Sequence, residues 1–102
     1  MTYIKINDTL YPATIRGCTY DKNWGGRESK AITLEMSYTD AMALFVTDLE
    51  WAIVYESDSV SEEYDNSEYS VAGPVADNRD GTVTVKMGKA TDAEILAVIM
   101  GG

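Results

Sequence analysis

The chain has 102 residues, 17 acidic against 8 basic, with no histidine and a single cysteine. One domain over residues 1–102 is expected, because a length of about 100–150 residues is where a single core suffices without staples. The lone Cys18 excludes an internal disulfide and suits a reducing compartment, and without histidine there is no Ser-His-Asp triad, Cys-His pair or histidine-ligated metal. A net charge of −9 favours solubility and disfavours binding to nucleic acid or anionic lipid, where lysine and arginine supply the affinity. No apolar run approaches the ~18 residues of a membrane span, and Met1–Asn7 alternates instead of forming a signal core.

In chain order, Tyr3–Asn7 alternates as a half-buried strand, with Ile4 and Ile6 on one face. Asn7-Asp8 supplies turn chemistry, and Thr9–Thr19 reads as the returning strand. Its Pro12 cannot donate to a ladder and is expected at an open edge or a bulge. Gly17 marks a second irregularity. Asp21–Arg27 reads as a loop, since Asn and Gly-Gly favour turns.

Lys30–Ser37 alternates cleanly, with Ile32, Leu34 and Met36 on one side. Thr39 or Asp40 is placed to cap a short helix through Ala41–Val46. Glu50–Glu56 reads as a strand with Trp51 in the core, followed by a loop across the acidic stretch and a strand over Glu68–Ala72 that Gly73-Pro74 ends. Asn78–Gly81 has hairpin-turn chemistry, and Thr82–Lys86 is a strand directing Val83, Val85 and Met87 inward. Thr91-Asp92-Ala93-Glu94 fits a capping box, opening a helix to Met100 with Ile95, Leu96, Val98 and Ile99 apolar and Gly101 as its stop. Strand following strand through tight turns predicts an α+β fold: a small, mostly antiparallel sheet or sandwich-like domain. One short internal helix is expected, with a C-terminal helix packed on the sheet.

Chemistry is sparse. Glu62 and Glu63 are adjacent acids without the apolar surroundings that raise a carboxyl pKa, so no acid/base pair is assigned. Asp77–Gly81 departs from calcium-loop spacing at Arg79, Gly25-Gly26 lacks the phosphate-loop lysine, and Cys18 has no activating partner. The expectation is no enzyme, no cofactor and no metal. Two regions could engage a protein. Trp24 beside Arg27 suits a contact point if the indole is exposed, and a core cap if it folds back. Between Glu56 and Glu68 lie Glu56, Asp58, Glu62, Glu63, Asp65 and Glu68 with no basic residue, so −6 of the net −9 sits there, flanked by Tyr64 and Tyr69. A solvated loop is the simpler reading of that run; a surface imitating the phosphate spacing of DNA is the sharper one.

Thr2–Asn7 with Tyr11-Pro12-Ala13 and Gly17, Asp21–Trp24 with Arg27-Glu28-Ser29, Tyr64–Tyr69 with Ala72-Gly73, and Asp80–Lys89 together resemble small uncharacterised proteins of tailed phages and prophages of gut Firmicutes. The resemblance implies a non-enzymatic tail or tail-module component, acting by contact with itself or with other virion proteins. It assigns no binding residue. The alternative is an acidic phage-encoded inhibitor of a host defence system, of the anti-CRISPR or DNA-mimic type, whose partner is a host nucleic-acid-binding protein. A module that sequesters a small molecule would need an apolar pocket, which sequence does not reveal. The candidate contact residues are Trp24, Arg27, Asp58, Glu62, Glu63, Tyr64, Asp65 and Glu68. No direct nucleic-acid or membrane contact is expected, and the location implied is the bacterial host cytoplasm or the virion.

Overall fold

The computed structural model describes residues 1–101, with side chains through Ala97. Seven strands form an antiparallel sheet in the order β5-β4-β1-β2-β3-β7-β6, accompanied by two α-helices. The α+β, strand-rich class expected from the alternating pattern is the one observed.

The first hairpin sets the architecture. β1 (Thr2–Ile6) returns as β2 (Thr9–Asp21) through Asn7 at φ 51° and Asp8 at φ 66°, with Ile6 opposite Thr9. Two successive left-handed residues make a turn whose twist matches the strands, and Asn and Asp tolerate that region best after glycine. The partners differ in length: β1 has 5 residues and β2 has 13. β1 is therefore used up at Pro12, opposite Tyr3, and from Ala13 onward β2 pairs with β3 (Arg27–Glu35). Pro12 sits at this handover, where a missing N–H costs least. The expected edge-or-bulge position is a junction between two ladders.

One half of the sheet is β5-β4-β1 with the start of β2; the other is the rest of β2 with β3, β7 and β6. β4 (Ala52–Glu56) pairs with β1, and β7 (Thr82–Gly88) with β3. Ile4, Ile6 and Ile53 from the first half meet Ile32, Leu34, Val83, Val85 and Met87 from the second in one core. Inward residues recur at every second position, as the pleat requires.

Two crossing segments cover this core. The first links β3 to β4 through α1 (Tyr38–Leu44), supplying Ala41, Phe45 and Trp51. The second links β5 (Ser61–Asp65) to β6 (Val71–Asp77), supplying Tyr69. They are tied together where the Trp51 indole N–H donates to the Tyr69 carbonyl at 3.0 Å and the Asp48 amide donates to the Ser70 carbonyl at 2.7 Å.

Several local expectations are corrected. Ser37 caps α1, its hydroxyl accepting from the Asp40 amide at 3.1 Å, so the helix starts before Thr39 and ends at Leu44. The acidic stretch is not one loop, since Ser61–Asp65 is strand β5 paired along β4. Trp51 directly precedes β4 and fills the core from there. Tyr69 lies in the crossing before β6, and Gly73-Pro74 does not end that strand: β6 continues to Asp77 over a bulge between Ala72 and Val75, where proline is accommodated.

The C-terminal helix is α2 (Asp92–Gly101). Its expected capping box forms, with Glu94 accepting from the Thr91 amide and Thr91 accepting from the Glu94 amide. Ile95 is 48% and Leu96 54% exposed. The roles read for Val98, Ile99, Met100 and Gly101 lie outside the described side chains.

Substituting a core and a helix position separates these roles. Met87→Ala should cost about 2–5 kcal/mol through the cavity it leaves. Leu96→Ser should stay within ~0.5 kcal/mol. Urea unfolding followed by tryptophan fluorescence checks both.

Candidate protein-contact surfaces

Trp24 and Arg27 form one structural unit. Asp21 caps a 3-10 turn over Lys22–Trp24 by accepting from the Asn23 amide, and Gly25 (φ 70°) and Gly26 (φ 75°) return the chain into β3. That turn lays the indole over Gly73 and Gly88, where added Cβ atoms would stand 2.5 and 2.9 Å from the ring. The Arg27 guanidinium stacks 4.6 Å from the indole centroid and donates to the Trp24 and Lys89 carbonyls and, through both terminal nitrogens, to the Glu94 carboxylate. With only 8% of its side chain exposed, Arg27 clamps the β2–β3 connection to α2. Trp24 has folded back, and its partners are internal.

Beneath this unit, Asp21 is buried and receives Lys86 at 2.8 Å and the Ser29 hydroxyl at 3.3 Å. The hydrogen bond from Lys86 holds its carboxyl below the ordinary value, against the opposing effect of burial. A second polar cluster surrounds Tyr69. Its hydroxyl donates to Glu28, while the ammonium groups of Lys30 and Lys89 lie 4.6 and 5.1 Å from its ring centroid. Burial, then the Glu28 bond, pushes the Tyr69 phenol up to about 12, and burial lowers the Lys30 ammonium. A phenol held protonated beside two cations anchors the second crossing on β3.

The acidic residues are exposed but divided. Along β5, Glu63 and Asp65 lie opposite Val54 and Ala52, while Glu62 and Tyr64 lie opposite Tyr55 and Ile53, on the other face. Lys5 meets Glu63 at 3.1 Å, and Lys89 approaches Glu68 at 3.7 Å. The Tyr64 hydroxyl donates to Glu62 at 2.5 Å, which pushes the phenol up. Asp65 accepts from the Ser67 amide and hydroxyl, which lowers its carboxyl. Tyr55 and Tyr64 meet edge to face at 5.8 Å between centroids. Asp58 is exposed in the turn between β4 and β5. Within the hairpin turn at Asp77–Gly81, Asp77 and Asp80 are used locally, accepting from the Arg79 and Thr82 amides.

The comparisons add no relative. No protein-family model, curated protein or solved structure matches this chain.

Two further surfaces were not legible in the sequence. A groove of about 860 Å³ opens at the handover in β2, lined by Met1, Thr2, Tyr11, Ala13, Ile15 and Leu34 among others. Beyond it, β2 pairs only with β3, so its other edge is free from Thr14 onward. The signal available was the long run Thr9–Asp21 set against a much shorter β1. No described helix is long and apolar enough to cross a membrane.

The clamp carries a pH signature. Hydrogen bonding from Arg27 holds the Glu94 carboxyl at about 2, against an ordinary 4.5. A depressed carboxyl stabilises the fold above its unfolded value, and that contribution is lost as pH falls from about 4.5 towards 2. Glu94→Gln should flatten the wild-type loss of stability over that acid window and leave neutral-pH secondary structure unchanged, as read by circular dichroism during acid titration.

Proposed function

We propose that this chain is a non-enzymatic protein-contact component, associated with the tail or tail module of a tailed phage or prophage, and working in the host cytoplasm or the virion. The observation carrying the contact reading is the amount of strand edge left open on a small core: β5 and β6 end the sheet, and the second half of β2 lacks a neighbour on the side away from β3. Strand edges offer rows of unpaired N–H and C=O groups, which another chain satisfies by adding a strand. The phage setting rests on the sequence resemblance alone. Trp24 and Arg27, occupied internally, drop out as the contact point, and the open edges replace them.

A second reading is favoured by one feature, the order of the acidic segment. Because Ser61–Asp65 is a strand, Glu62, Glu63 and Asp65 project from a fixed backbone, as an inhibitor occupying a basic nucleic-acid groove would require. Its division over two faces and the Lys5–Glu63 pair weaken that reading.

The two readings separate by salt. Immobilised protein should retain tail proteins, or copies of itself, from a lysate of phage-producing cells, with little change between low and high salt. The triple substitution Glu62→Gln, Glu63→Gln and Asp65→Asn should leave that capture intact. Capture of a nucleic-acid-binding host protein that disappears with added salt and in the triple variant would replace the tail reading by the inhibitor reading. Exposed charges more than ~8–10 Å apart are screened at ordinary ionic strength.

A further inference from the structure

We propose that the free edge of β2 is a self-association surface, on which the same segment of a second copy pairs antiparallel about a twofold axis. This rests on the protein-contact reading and deepens it by naming the partner.

The edge is continuous. Ala13–Cys18 is paired to β3 on one side, β1 is spent at Pro12 on the other, and no described element lies along the remaining side from Thr14. Thr14, Arg16, Gly17, Cys18, Thr19 and Tyr20 are all exposed, Tyr20 at 70%. A bulge after Cys18 shifts the register to β3, so the flat part is Thr14–Cys18.

The charge pattern selects the occupant. The protein carries −9, so most faces repel a second copy. Between Asp8 and Asp21 there is no acidic residue, and Arg16 stands as the single charge, without an ion pair among the described residues. The other open edges are guarded: β5 bears Glu62, Glu63 and Asp65, which would face like charges in a self-paired strand, and β6 is interrupted by Pro74 and its bulge. Among the described residues, only the β2 edge combines unpaired backbone, Thr and Ile side chains suited to strands, and no acid.

Twofold symmetry limits the register. An axis at Gly17 sets Arg16 opposite Cys18 of the second copy, with both residues inside the flat part. Only an axis at Arg16 would face guanidinium with guanidinium. The Gly17 register joins the β2-β3-β7-β6 half-sheets of the two copies through β2 into one continuous sheet.

The test is sedimentation of the full chain over a wide concentration range, beside two variants that each add one positive charge at an exposed site. Cys18→Lys places Lys opposite Arg16 in this register, so it should weaken dimerisation about tenfold or more, because like charges opposed across an interface are costly. Val60→Lys, in the turn between β4 and β5, should leave the dimer intact. Circular dichroism controls the fold, and hydrogen exchange should show the alternate Thr14–Cys18 amides that face away from β3 protected in wild type and released in Cys18→Lys. A wild-type monomer at every concentration, or a dimer unaffected by Cys18→Lys, or one lost equally in Val60→Lys, overturns the proposal. A monomer that still retains tail proteins from lysate overturns self-pairing while leaving the contact reading in place.

Discussion

The structure depends on a mismatch of length within its first hairpin. A 5-residue strand is joined by a tight left-handed turn to one of 13 residues, so the longer strand must find another neighbour for its second half. Pairing β2 first with β1 and then with β3 produces two half-sheets that share one strand, and proline is placed where the two ladders meet. Because a twisted sheet with one apolar face must bury it, the two connections between half-sheets run across that face. Both connections are thereby fixed in place: α1 and its following loop bring Phe45 and Trp51, and the second crossing brings Tyr69.

Polar chemistry in this protein holds connections in place. Asp21 with Lys86 and Ser29, Tyr69 with Glu28 between Lys30 and Lys89, and Arg27 between Trp24 and Glu94 each tie a loop or helix to the β3–β7 region. Partly buried pairs of this kind contribute little net stability against hydrophobic alternatives, but removing one partner leaves a desolvated charge. The glycines under Trp24 belong to the same scheme. Gly88 and Gly73 leave room for an indole flat against the backbone, which lets a turn far from the core close the end of β7 and β6.

The alternating runs announced β1, β3 and β7 and their inward faces, because a period of two is a local property. Turn chemistry announced Asn7-Asp8 and Asn78–Gly81 for the same reason. What stayed hidden was decided at long range. Ser61–Asp65 has the composition of a solvated loop and becomes a strand through its pairing with β4, and Pro74 breaks a strand only if no bulge absorbs it. The helix opened by Thr91 was recognisable, yet its tie to β3 through Arg27 and Glu94 was not, since that pair lies 67 residues apart in sequence. Trp24 posed a similar choice. An indole in a Gly-Asn loop is exposed or folded back according to two glycines roughly fifty and sixty residues away in sequence. The acids of the 56–68 region were visible as a group, but their division between faces follows from β5 register and not from composition.

That division bears on what kind of contact the molecule can make. A strand edge recognises backbone, which is indifferent to charge, whereas its flanking side chains decide which backbones can approach. Here the acids are gathered on β5 and around it, and the second half of β2 is left without any before Asp21. In the proposed pairing, such a distribution disfavours the outermost acidic strand and favours the acid-free stretch of β2. The same sequence feature that makes β2 too long for β1 also supplies that stretch. The open edge is thus a consequence of the hairpin that organises the core, and shortening β2 to close it would remove the β3 pairing on which the second half of the core is built.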